Sequence, residues 1–201
     1  MKTITFREEF RILMLGDSIS MQYRDVVKNN LTKNMQVFYP PENGRFAAYT
    51  FRMLYDWRKD LKWPDKMNLI YWNNGLWDVV RIFGDSPQTS IEEYERIIRR
   101  LYNRLTFLFP GVKIIFALTT PVYESKFEKD FSRRNRDIIE YNRIAENVIT
   151  NMGGRVDNLY AIISTLPNMN EVFLDSTHFN EIGIRLIADH VTSVINHFCS
   201  A

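Results

Sequence analysis

Cysteine, histidine and long apolar runs are all scarce in this chain. Its single cysteine, Cys199, lies near the C-terminus. One thiol forms neither an intrachain disulfide nor a thiolate metal cluster, and that position is a poor one for a catalytic nucleophile. All three histidines, His178, His190 and His197, fall in the final stretch of the 201 residues. No apolar run approaches the length of a membrane span. The opening segment, residues 1–9, lacks the uninterrupted apolar stretch of a signal peptide. A cytoplasmic protein is therefore expected, a removed leader aside. Charge of one sign is missing as well: the net charge is +2 and the basic residues are scattered, so no nucleic-acid footprint is present. What remains is a globular composition, 45% apolar and 25% charged, long enough for one domain over 1–201 with a core of its own.

Short apolar runs of strand length alternate with longer segments of helical period. Ile12 to Leu15, Gln36 to Tyr39, Leu69 to Trp72 and Val112 to Leu118 read as strands buried on both faces, with Leu159 to Ile163 as a weaker fifth. Ile91, Tyr94, Ile98, Leu101, Leu105 and Leu108 recur at helical spacing until Pro110-Gly111. Ser132 is a candidate cap for a helix whose apolar face runs Tyr141, Ala145, Val148 and Met152 before Gly153-Gly154. A last helix carries Ile187, Val191, Val194 or Ile195, and Phe198 on one side. Steady alternation of strand and helix predicts a parallel sheet covered on both faces. Ligands of such sheets bind beyond the carboxyl ends of the strands. That places Gly16-Asp17-Ser18, Pro41-Glu42-Asn43-Gly44 and Asn73-Asn74-Gly75 along one edge.

Ser18 follows the first strand and precedes a helix expected to begin near Gln22. A hydroxyl there lies close to helix N-terminal amides, which favour developing negative charge. Asp17 and Ser18 would equally serve as a turn or helix cap. A serine nucleophile needs a base, and histidine is the usual one. His190 and His197 belong to the terminal helix, whereas His178 precedes it, three residues after Asp175. Asp175 can accept from Nδ1–H and leave Nε2 to take the serine proton; a loop Asp and His that cap the next helix are the plainer alternative. The backbone N–H groups of Ser18 and Gly44 are candidate oxyanion donors, since glycine permits close backbone approach. A side-chain amide would complete the set. Asn73 and Asn74 both end the third strand, and alternation lets only one of them face the site.

In this order, the blocks Gly16-Asp17-Ser18, Gly44, the region Asn73 to Asp78, and Asp175 through His178 resemble those of the SGNH (GDSL-type) hydrolases, over nearly the whole chain. The resemblance implies a flavodoxin-like three-layer α/β/α sandwich with a five-stranded parallel sheet. It also implies ester or thioester hydrolysis through an acyl-serine, with Ser18, Asp175 and His178 as catalytic residues. The third block departs from the usual Gly-x-Asn-Asp, because Gly75-Leu76-Trp77-Asp78 puts Trp77 where the asparagine belongs. A subgroup with Trp-Asn-x-Gly-Leu-(aromatic)-Asp in this block is similar, which favours Asn73 as the replacement amide, with Asn74 the alternative.

For substrate the sequence says less. Trp77 is a candidate for stacking on a sugar ring, and Trp72 is better placed as core. The charged stretch 123–136, with Arg133, Arg134 and Arg136, would cover the site, meet an anionic substrate or simply be solvated. The leading expectation is a small acyl group, acetyl on a carbohydrate, with no cofactor and no metal. A lysophospholipid or thioester is second, and a non-catalytic flavodoxin-like binding module is a third reading.

Overall fold

The computed structural model describes residues 9–200; the N-terminal segment read above for a signal peptide lies, up to residue 8, outside the described residues. In chain order the elements are β1 (Phe10–Leu15), α1 (Ser18–Asn30), β2 (Met35–Phe38), α2 (Ala47–Asp60), β3 (Leu69–Trp72), β4 (Arg81–Ile82) and α3 (Ile91–Leu108). There follow β5 (Lys113–Ala117), β6 (Phe131–Ser132), α4 (Asn135–Asn151), β7 (Arg155–Asp157), α5 (Leu159–Ser164) and α6 (Glu181–Ser200). Five strands form an all-parallel sheet in the order β2-β1-β3-β5-β7. The short strands β4 and β6 pair antiparallel as a separate ribbon.

The central strands are near-continuous apolar runs because helices cover both of their faces. Ile12 to Leu15 and Leu69 to Trp72 are fully buried. One helical layer contains α1, α5 and α6, and the other α2, α3 and α4. Helix α3 has the clearest local logic. Ser90 caps it by accepting from the Glu93 N–H, Glu92 and Glu93 face its positive end, and Tyr94, Ile98, Leu101 and Leu105 make its buried stripe. Across the sheet, Trp72 meets Phe116 edge to face, with ring centroids 4.8 Å apart. Trp72 is thus core.

Three expectations need correction. Leu159 to Ile163 is not the fifth strand but helix α5; the Asn158 side chain caps it by accepting from the Ala161 N–H, and Leu159 and Ile163 turn to one buried face. The fifth strand is the short, polar β7 just before it. Ser132 caps no helix: it sits in β6 opposite Arg81, and α4 starts at Asn135, whose N–H is accepted by Glu124. Helix α1 begins at Ser18 rather than near Gln22, because Asp17 already caps it through the Ile19 N–H at 2.9 Å. The structure also adds α2, a helix the apolar pattern leaves unassigned, since Thr50 interrupts its buried face of Ala47, Leu54 and Trp57.

Candidate active site

The sheet order brings the carboxyl ends of β1 and β3 together at the point where chain connectivity reverses direction. Ser18 stands there as the first residue of α1. Its N–H is one of the first-turn amides that an α-helix leaves without an intrahelical acceptor. Beside it Asp17 is buried. Burial pushes its carboxyl pKa up, against the Ile19 N–H and the charge of Arg133.

His178 reaches this serine from the opposite end of the chain. Its Nε2 lies 3.0 Å from Ser18 Oγ, and its Nδ1 lies 2.8 Å from Asp175 Oδ2. The other carboxylate oxygen of Asp175 accepts the backbone N–H groups of Thr177 and His178, each at 2.7 Å. Burial would raise the Asp175 carboxyl, but these two amides and the His178 ring more than offset it and hold it below the usual carboxylate range. One residue given no site role by the sequence secures the arrangement. Gln22, one turn after Ser18, donates from Nε2 to Phe179 O at 3.0 Å and accepts the Phe179 N–H at 3.1 Å. This two-bond clamp ties the histidine loop to the serine helix. Its only sequence signal is the four-residue spacing that puts Gln22 on the helix face of Ser18.

The two asparagines differ sharply. Asn74 is fully buried; its amide donates to Arg45 O and Thr50 Oγ1, and its carbonyl accepts the Trp72 indole N–H. Asn73 keeps 8% exposure, and its Nδ2 donates to Ala117 O at 2.8 Å. Gly44 departs from expectation: its N–H is donated to Gly16 O at 2.9 Å rather than left free at the site. A Cβ there would lie 2.7 Å from that same oxygen, so the close approach of the two strand-end loops requires glycine. Asp78, from the third block, accepts the Ala47 N–H at the start of α2 and the Thr89 hydroxyl. Burial pushes its pKa up to about 7.

Ser18 and His178 open into a cavity of about 400 Å³, walled by Trp77, Phe127 and Phe131, with Asn43 at its edge and Arg133 in its lining. The stretch 123–136 supplies much of that wall. Its arginines part company: Arg133 is buried, while Arg136 is exposed. Arg133 donates from Nε to Leu76 O at 2.7 Å and from Nη1 to Thr177 Oγ1 at 3.2 Å. His190 stands apart from the site. It bonds Asp157, which also accepts the Tyr71 hydroxyl. Among the described residues no group of three or more side chains is arranged to hold a metal ion, and no helix is long and apolar enough to cross a membrane.

This geometry can be set beside that of known proteins. No protein-family model matches the sequence, and no curated protein does. Solved structures do match. A lipase/acylhydrolase from Enterococcus faecalis superposes with a TM-score of 0.69 at 17% identity, covering 92% of this chain and 95% of its own. The chain has the SGNH-hydrolase fold. A GDSL-like lipase from Bacteroides thetaiotaomicron matches at 15% identity with a TM-score of 0.69, over 94% of this chain and 89% of that one. An acetyl xylan esterase matches at 16% identity with a TM-score of 0.65, over 92% of this chain and 100% of that one. The fold is thus shared over nearly the full described length.

Proposed function

We propose that this protein is an SGNH-type serine ester hydrolase. The observation that carries the reading is the continuous hydrogen-bonded chain Asp175–His178–Ser18, assembled from segments 160 residues apart. In the reaction Ser18 Oγ attacks the acyl carbonyl while His178 Nε2 takes its proton, and Asp175 holds the ring and stabilises the imidazolium. The tetrahedral oxyanion is met by the Ser18 N–H at the start of α1 and by the free amide hydrogen of Asn73. Asn73 is preferred to Asn74 because both amide hydrogens of Asn74 are already placed on protein acceptors. Gly44 serves the site through close packing on Gly16, its N–H being engaged there. The intermediate collapses, the leaving alcohol takes the proton from His178, and an acyl-serine remains. Water, deprotonated by the same histidine, then releases the acid and restores the serine.

The substrate we favour is a small acyl group, acetyl, on a carbohydrate. The cavity of about 400 Å³ has the size of a small-ligand site. Trp77 offers an aromatic surface to a sugar ring, and a matching structure is named as an acetyl xylan esterase. A panel of acetylated sugars and 4-nitrophenyl esters of increasing chain length, run beside Ser18→Ala, tests the reading. Hydrolysis that favours acetyl and is lost in the variant supports it. Unchanged turnover in Ser18→Ala would remove the nucleophile, and preference for long acyl chains would point to lysophospholipid or thioester substrates.

A further inference from the structure

Arg133 lines the same cavity as Ser18 and His178, and it is 5% exposed. Among the described residues no carboxylate lies within ion-pair distance of it. Its two hydrogen bonds go to neutral oxygens, Leu76 O and Thr177 Oγ1. Its guanidinium carbon lies 5.7 Å from the Trp77 ring centre, 5.8 Å from that of Phe127 and 5.2 Å from that of Phe131. These rings shield the cation from water while supplying only weak attraction. Burial accordingly pulls its pKa down to about 10, although the charges of Asp17 and Asp175 act the other way. A buried cation without a contacting anion is costly, and the cost falls when a ligand supplies the anion. The planar fork also keeps N–H donors beyond those already engaged.

We propose that the cavity is built for an anionic ester, one whose acyl or alcohol part carries a carboxylate or phosphate that Arg133 receives. This rests on the ester-hydrolase reading above: an anion on the alcohol side refines the acetylated-carbohydrate preference, and one on the acyl side would replace acetyl as the favoured acyl group. The neutral acceptors on Leu76 and Thr177 fix the fork in place, and the aromatic walls exclude the water that would otherwise compete for the anion. A charge-assisted, partly desolvated hydrogen bond of this kind is worth roughly tenfold to a hundredfold in kcat/KM.

The test compares matched pairs of esters on wild type, Arg133→Gln and Arg133→Lys. One arm puts the anion on the acyl side, mono-4-nitrophenyl glutarate against 4-nitrophenyl valerate. The other puts it on the alcohol side, 4-acetoxybenzoate against 4-acetoxybenzamide. The expected result is an anionic-to-neutral ratio of about ten or more for wild type in one arm. That ratio should collapse in Arg133→Gln and be partly kept in Arg133→Lys, whereas a purely structural arginine would lower both esters together and leave the ratio alone. A wild-type ratio at or below one in both arms, or an equal ratio in the Gln variant, overturns the proposal. Should the Gln variant not fold, the wild-type ratio and its loss with rising salt decide the matter in its place. If wild type hydrolyses neither member and Ser18 is not labelled by a fluorophosphonate, the ester-hydrolase reading itself has failed. Turnover of the neutral ester without anionic preference defeats only the role of Arg133.

Discussion

Replacing Asp78 by asparagine should make the protein's stability less sensitive to pH, with a sign opposite to the usual carboxylate effect. Asp78 is fully buried and accepts the first N–H of α2 and a threonine hydroxyl. A helix N-terminus favours the charged form by about 1 kcal/mol. Burial outweighs that benefit and lifts the pKa from 3.8 to about 7. The folded state therefore binds a proton that the unfolded state has released between about pH 4 and about pH 7, so stability falls as pH rises through that window. At about 1.4 kcal/mol per unit, the full swing is about 4 kcal/mol. Asparagine keeps an acceptor for Ala47 but does not titrate. Urea unfolding of both proteins between pH 4 and pH 8 measures the effect. The variant should gain on wild type by about 4 kcal/mol from the acid end to the alkaline end, whatever offset its altered hydrogen bonding adds throughout. Two parallel curves would refute the claim that Asp78 is protonated near neutrality.

The two asparagines give a paired test. Asn73→Ala should lower kcat about a hundredfold, the cost of one side-chain oxyanion donor, with little change in KM. Asn74→Ala should instead cost about 3 kcal/mol in chemical denaturation, because it strips donors from Arg45 O and Thr50 and leaves the buried Trp72 indole N–H without its acceptor. Reversal of these outcomes would exchange the two assignments. Gln22→Ala removes both bonds to Phe179 and should lower kcat about tenfold or more through a displaced His178, read in steady-state kinetics on an acetyl ester. Gly44→Ala would push a Cβ to within 2.7 Å of Gly16 O; a loss of about 2 kcal/mol in stability, seen in thermal melts, should accompany loss of turnover.

The parts of the fold most legible in the sequence are those where one force dominates. Leu69 to Trp72 and the stripe of α3 are set by burial alone, and both fall where the apolar period puts them. Apolar content misleads where a cap competes with it. Leu159 to Ile163 is apolar enough for a strand, but Asn158 starts a helix there, and the true edge strand is too short and polar to stand out. In the candidate site, the sequence singles out Ser18, Asp175 and His178 because three histidines leave few choices of base, and the fold brings these three side chains into one hydrogen-bonded chain. Between Asn73 and Asn74 the sequence goes only as far as alternation and a resemblance that favours Asn73; that both amide hydrogens of Asn74 go to Arg45 O and Thr50 Oγ1 is a tertiary fact. Arg133 shows the same limit. Next to Arg134 and Arg136 the sequence leaves open whether it covers the site, meets an anionic substrate or is solvated, and only the fold, with its bonds to Leu76 O and Thr177 Oγ1, sets it in the cavity wall.

The two halves of the site are held by different physics, and this bears on what can be altered. Ser18 is fixed by the buried end of β1 and by the Asp17 cap, so its position is inseparable from the core. The Asp175–His178 half is far more exposed, with side-chain exposures of 51% and 37%, and it is moored by hydrogen bonds from Gln22, Tyr123 and Arg133. Asp175 also titrates in the opposite sense to Asp78. Its pKa is depressed, so its contribution to stability is present above the ordinary carboxylate value and fades as pH falls through the folded one. Acid should therefore loosen the histidine loop while it relieves the burial of Asp78. Activity should then be lost on acidification while the core remains folded, visible as acetyl-ester turnover falling at a pH where the near-ultraviolet circular dichroism of the buried aromatics is still native. Simultaneous loss of both signals would mean that the histidine loop and the core melt as one unit.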